Sequence, residues 1–209
     1  MKMLIAVIIF GILTYAFAQI SIGNKECHQE AMKNFDLNKY FQIEHAFVTH
    51  SKNGKNPNFC REMTTKKQSD GTILTIAEGY DETKGKTYYS KTSCTGTQKN
   101  GKPGEFSLEC NILEDTMQNT LGKYSEYTSV IDTDYNTYAI LYRCTRMPKE
   151  SITIEDISVL KKDKNGDDKI IKQSLQSKGM KLDQFLPSDK AYCERVKNEG
   201  KKDGKKKRT

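Results

Sequence analysis

From residue 46 to residue 160, apolar and polar positions alternate in runs of six to ten residues, each bounded by residues that bend chain. Phe106, Leu108 and Cys110 alternate with Ser107, Glu109 and Asn111, a period of two that gives a strand one buried and one wet face. Val130 and Ile131 end one run, Asp132 to Asn136 supply turn residues, and Tyr138 to Tyr142 form the next, which Cys144 closes. The pattern predicts eight strands, at 46–51, 59–66, 72–80, 86–94, 106–112, 124–131, 137–146 and 152–160. Eight short strands at regular spacing point to an all-β antiparallel barrel or sandwich, because closure removes adhesive edges.

Two stretches break the period. Asn34-Phe35-Asp36 before Lys39-Tyr40-Phe41 predicts a short helical turn at one end of the barrel. After the turn Asp163 to Gly166, Asp167 and Asp168 open a helix whose Ile170, Ile171 and Leu175 form an apolar stripe, and Lys178-Gly179 stops it. This one C-terminal helix is expected to pack outside the barrel. Leu182, Phe185 and Leu186 then predict an extended segment ending at Cys193.

Residues 1–18 do not belong to this pattern. Lys2, the apolar run Leu4 to Leu13 and Ala16-Phe17-Ala18 read as a secretory signal peptide. The run is short for a bilayer span and no second one follows, so no transmembrane anchor is expected. The mature domain is expected over 19–196, followed by a disordered basic tail over 197–209. The chain's formal charge is +7; without Lys2 it is +6, of which Lys201, Lys202, Lys205, Lys206, Lys207 and Arg208, less Asp203, carry +5. The body is therefore nearly neutral. Such a tail aids solubility or binds anionic surfaces such as heparin-like glycans or phospholipid, not nucleic acid.

An exported chain with six cysteines, Cys27, Cys60, Cys94, Cys110, Cys144 and Cys193, predicts three disulfides. Fifteen pairings are open to counting alone. No two cysteines lie closer than 16 positions and His28, His45 and His50 form no ligand-spaced pair, so neither a metal nor a cofactor is expected. No nucleophile elbow, phosphate loop or zinc-protease motif occurs, and a non-enzymatic, monomeric binding protein is the reading.

The leader, Ala31-Met32 with Asn34-Phe35, Val48-Thr49-His50, and Tyr138-Ala139-Ile140-Leu141-Tyr142-Arg143-Cys144 resemble the triabin and pallidipin group of salivary lipocalins from blood-feeding bugs, relatives of the nitrophorins. The resemblance implies an up-and-down lipocalin barrel, secretion in saliva, and the disulfides Cys27–Cys144, Cys60–Cys193 and Cys94–Cys110. One departure stands out. Lipocalins usually begin their first strand with Gly-x-Trp, whose Trp plugs the closed end; here Ile43-Glu44-His45-Ala46 stands there and Trp is absent.

The resemblance also implies a role in blunting host haemostasis or inflammation. The first function it implies is sequestration of a small mediator, either an eicosanoid such as a thromboxane, prostaglandin or leukotriene, or a biogenic amine, with inhibition of platelet aggregation. The second is inhibition of a clotting protease or contact-system protein, with the tail on anionic surfaces. If Cys60 points outward, Phe59, Arg61 and Met63 point inward, and Arg61 would anchor a ligand carboxylate. Alternatively, Arg61 pairs with an internal Glu, or a bulge breaks the parity. Tyr88, Tyr127, Tyr138 and Tyr142 are further candidates for the cavity wall, although the same parity taken from Cys144 turns Tyr138 and Tyr142 outward.

Overall fold

The structure, a computed structural model, describes residues 20–22, 26–117, 122–147 and 152–206. The expected leader over residues 1–18 lies outside them. In chain order the elements are β1 (Ile20–Ile22), α1 (Leu37–Tyr40), β2 (His45–Ser51), β3 (Phe59–Lys67), β4 (Ile73–Thr83) and β5 (Lys86–Gln98). These are followed by β6 (Glu105–Asp115), β7 (Lys123–Thr133), β8 (Tyr138–Met147), β9 (Ile152–Lys161), α2 (Lys169–Ser177), β10 (Leu186–Pro187) and α3 (Lys190–Lys206).

Strands β2 to β9 pair antiparallel with their sequence neighbours, and β2 pairs back onto β9, so the eight form a closed barrel. β1 extends the sheet beyond β9, and β10 beyond β2. Alternating burial along β4 shows one face in the core and one toward water, as its period of two requires. Lys84 and Gly85 join β4 to β5 as a two-residue loop with positive φ at both positions, 51° and 73°. That conformation suits the twist of a hairpin, and it carries β4 to Thr83, three residues past the predicted end.

Two apolar layers result from this parity. Inside the barrel lie Val48, Phe59, Met63, Leu108, Leu141 and Leu160. Outside, α2 sets Ile171 and Leu175 on Ile140, Tyr142 and Val159 of β8 and β9, so the predicted stripe docks on the outer wall. The Cys27–Cys144 disulfide ties the N-terminal segment to that same wall.

The closed end is plugged by an aromatic cluster in place of the missing Trp. The Phe35 ring lies 5.4 Å from Tyr40, 6.0 Å from Phe106 and 6.2 Å from Tyr135. Asp36 caps α1 by accepting from the N–H groups of Asn38 and Lys39, and its own N–H donates to the Tyr135 hydroxyl at 2.9 Å. The floor is thus assembled from four elements rather than one large ring.

The C-terminus differs from the sequence reading. The extended segment expected to end at Cys193 gives way to a second outer helix, α3, which crosses the boundary drawn at residue 196. Tyr192, Cys193 and Val196 form a small buried stripe against Cys60 on the outer face of β3. Asp189 caps the helix by accepting from the Tyr192 N–H at 3.0 Å, and the Cys60–Cys193 disulfide fixes its first turn.

Candidate functional site

The loop β2–β3, the β4–β5 hairpin, Asp115 and Met117 at the end of β6 and Ile154 near the start of β9 surround one end of the barrel, where a cavity of about 610 Å³ opens. Val48, Phe59, Tyr88, Met117 and Ile154 provide the apolar part of the wall, Ser51, Ser90 and Ser158 polar points, and Lys55, Arg61, Asp81, Glu82, Asp115, Arg143 and Asp156 charge. Met117 and Ile154 are each about half exposed, at 49% and 46%, and give the rim an apolar lip. A concave site with an apolar portion beside polar groups that can fix a ligand's orientation is the ordinary form of a small-ligand site, and this one is richer in charge than most.

Parity holds along β3: Cys60 faces out to Cys193 while Phe59, Arg61 and Met63 face in. Phe59 and Arg61 line the mouth cavity. Met63 lies deeper, packed with Tyr40, Phe106 and Leu141. Arg61 does not stand alone. Asp81, cross-strand partner of Phe59, accepts from Arg61 Nε at 3.0 Å and from Nη2. Gly79, directly opposite Arg61 in the register, has φ 152° and lies so close to β3 that a Cβ there would sit 2.1 Å from the Cys60 carbonyl oxygen.

Tyr88 pairs with Asp81 across β4 and β5 and lines the mouth. Tyr127 and Tyr138 are placed otherwise. Both lie on the outer wall with Tyr142, beneath the N-terminal segment and α2, because Cys144 faces Cys27 and fixes the outward parity of β8. The Tyr127 hydroxyl donates to the Gln29 carbonyl at 3.0 Å, and the Tyr138 hydroxyl to Asp132 at 2.9 Å. Their place in the cavity wall is corrected on that ground.

Parity from Cys144 also brings Arg143 inside, a residue the sequence reading did not use. Arg143 donates bidentately to Glu126, Nε to Oε1 at 3.1 Å and Nη2 to Oε2 at 2.7 Å. Thr128 and Thr145 hydroxyls fill the remaining acceptor sites of that carboxylate, at 3.1 and 3.4 Å. Burial opposes the charge on Arg143, and Glu126 outweighs it, holding the guanidinium above its usual pKa. Across β8 and β9, Arg143 also faces Asp156, whose Oδ1 accepts from Ser51 and the Asn53 N–H, each at 2.9 Å, and whose Oδ2 accepts from Ser158 at 2.5 Å. Arg61 and Arg143 therefore share the interior with Asp81, Glu126 and Asp156.

The Cys94–Cys110 disulfide bridges β5 and β6 on the barrel's inner side, and among the described residues no cysteine is free and no cluster of metal-ligating side chains occurs. No described helix is long and apolar enough to cross a membrane.

The sequence profile of the Triabin family matches residues 16–174. Pallidipin of Meccus pallidipennis is 40% identical over 198 residues, covering 94% of this chain and all of that one. Platelet inhibitor triplatin-2 of Triatoma infestans is 35% identical, over 92% of this chain and all of its own. Among solved structures, the tryptamine complex of the amine-binding protein of Rhodnius prolixus aligns with a TM-score of 0.62 at 18% identity, over 82% of this chain and 95% of that one. A leukotriene C4 complex aligns with a TM-score of 0.55 at 21% identity, over 77% and 90%. These two show the fold. With its profile match and full-length relatives, the chain belongs to the Triabin family of lipocalin barrels.

Proposed function

We propose that this protein is secreted in saliva and sequesters a small mediator of platelet activation in the mouth cavity, acting by binding rather than by catalysis. The observation that carries the reading is the cavity itself, an apolar patch of wall set among charged groups that include two guanidiniums. The relation to a named platelet inhibitor supports the physiological end of it.

For the ligand we take an eicosanoid-type carboxylate as the first reading. Asp81 occupies two of the five N–H donors of Arg61, which leaves three for a ligand. The pair is about one-third exposed, so its members can be re-partnered at modest cost. A cavity of about 610 Å³ with an apolar lip suits a long hydrocarbon body. One observation favours an amine as the second reading. Asp81, Glu82, Asp115 and Asp156 on the cavity wall exceed Lys55, Arg61 and Arg143 by one negative charge, and the Asp156 carboxylate is held by hydroxyls and a backbone N–H. The rival class, inhibition of a clotting or contact-system protein, places no demand on the cavity.

Titration calorimetry against a stable thromboxane analogue, prostaglandin, leukotriene C4, serotonin and tryptamine tests the reading. Stoichiometric binding of one class, with platelet inhibition lost when that ligand is supplied in excess, is the expected result. No binding by any of them, with clotting times prolonged in purified factors, would replace it with the protein-inhibitor reading.

A further inference from the structure

Outside the barrel, a second cavity of about 240 Å³ lies where the wall between β2 and β3 parts. These strands pair only from His45–Thr64 to Val48–Arg61. Beyond that point β10 takes the place of β3 beside β2, through Leu186–Ser51 and Pro187–His50. Ser188 stitches the gap: its N–H donates to the Thr49 carbonyl at 2.8 Å and its hydroxyl to the Phe59 carbonyl at 2.6 Å. The crevice lies beneath this strap, on the outer face.

Its floor is apolar, made by Phe47, Pro187 and the Cys60–Cys193 disulfide. Its rim is cationic. Lys164 comes from the β9–α2 loop, and Lys190 and Lys197, two helical turns apart on α3, come from the other side. Lys164 and Lys190 have no ion pair among the described residues. Lys197 lies 3.1 Å from Glu62 and 4.9 Å from the centre of the Phe47 ring. The one carboxylate on the wall, Asp168, is taken by Lys161 at 2.7 Å. Val48 and Arg61 line both cavities, so the two abut across the parted wall.

We infer that this crevice is a second binding site, for a small phosphate ester with a short apolar body. Lysine ammoniums are compact point charges that meet a tetrahedral anion from several directions, whereas a planar carboxylate is better matched by an arginine fork. The volume lies just below the usual range for ligand pockets, which limits the apolar body to a few carbons. A soluble phosphate ester and a phospholipid headgroup present the same chemistry. The site does not depend on the mouth cavity's ligand.

The test uses the full mature chain, isotope-labelled for NMR and titrated with n-hexyl phosphate, inorganic phosphate and n-hexylammonium. The site predicts saturable hexyl phosphate binding that shifts the amides of Phe47, Thr49, Lys164 and Lys190 and leaves Tyr88 and Ser90 unmoved. Inorganic phosphate should bind at least tenfold more weakly and hexylammonium not at all. K164E/K190E should lose at least tenfold in affinity; Lys190→Gln on the exposed helix face, which cannot threaten the fold, should lose about threefold. Sedimentation with phosphatidylserine vesicles, abolished in K164E/K190E, assigns the ligand to a membrane, and hexyl phosphate binding without sedimentation assigns it to solution. Shifts mapping to Tyr88 and Ser90 instead, equal binding of hexylammonium, or unchanged affinity in either variant would overturn the site.

Discussion

Asp81 reaches Arg61 from the adjacent strand and pairs with its guanidinium from within the barrel, at 3.0 Å from Nε to Oδ1. An inward arginine on β3 therefore brings its own counter-ion, and any ligand head group must negotiate with that pair. The effect of removing Asp81 has opposite signs for the two ligand classes. Asp81→Asn keeps the shape and deletes the negative charge. It should tighten a carboxylate mediator by about threefold to tenfold and weaken an amine by a similar factor, as expected for one partly exposed charge contact. Calorimetry on wild type and variant reads the sign directly.

The Arg143–Glu126 pair is a structural matter before it is a binding one. Glu126 is buried, at 3% exposure, and Arg143 is its ionic partner. Arg143→Ala leaves a buried carboxylate with two threonine hydroxyls, and should cost about 3–5 kcal/mol of folding stability. Replacing both with Met and Leu should restore much of the loss. Urea unfolding of the three proteins measures it.

Tyr88 and Tyr127 test the inside-out assignment. Tyr88 lines the mouth and Tyr127 backs onto the N-terminal segment. Tyr88→Ala should weaken mediator binding by about tenfold, an aromatic wall lost from a pocket. Tyr127→Phe and Tyr138→Phe should leave affinity within about twofold, while each costs about 1 kcal/mol of stability for a lost buried hydrogen bond.

Alkaline pH should unfold the protein through its tyrosines. Burial, with Glu105 beside it, pushes Tyr127 up to about 12, and burial raises Tyr40, Tyr138 and Tyr142 as well. The neutral phenol is favoured in the fold, so this stability is whole below pH 10, where unfolded tyrosine is still protonated. It is lost as pH rises from about 10 to 12 and beyond. Urea midpoints should be flat to about pH 9.5 and then fall, and Tyr127→Phe should fall less steeply.

Much of this arrangement was legible in the sequence because a period of two is a direct imprint of a barrel wall. Once Cys60 faced out, Phe59, Arg61 and Met63 had to face in, and Cys144 did the same for Arg143, although the sequence reading applied it only to the tyrosines. Asp81 escaped because its proximity to Arg61, twenty positions away, depends on strand register, which no local pattern specifies. α3 escaped for a different reason. Its buried stripe is only Tyr192, Cys193 and Val196, set in a run of Lys, Glu and Gly whose intrinsic helix preference is mixed. Asp189 as a cap was its one local signal.

Everything turns on whether the mouth cavity takes the mediator. Ser90 faces into it from β5, and Ser90→Trp would fill the space without touching the disulfides, α3 or the outer crevice. Platelet aggregation should be measured with wild type and this variant at equal concentration, after circular dichroism shows both folded. The account predicts inhibition by wild type and at least tenfold weaker inhibition by the blocked protein; equal inhibition by both would contradict it.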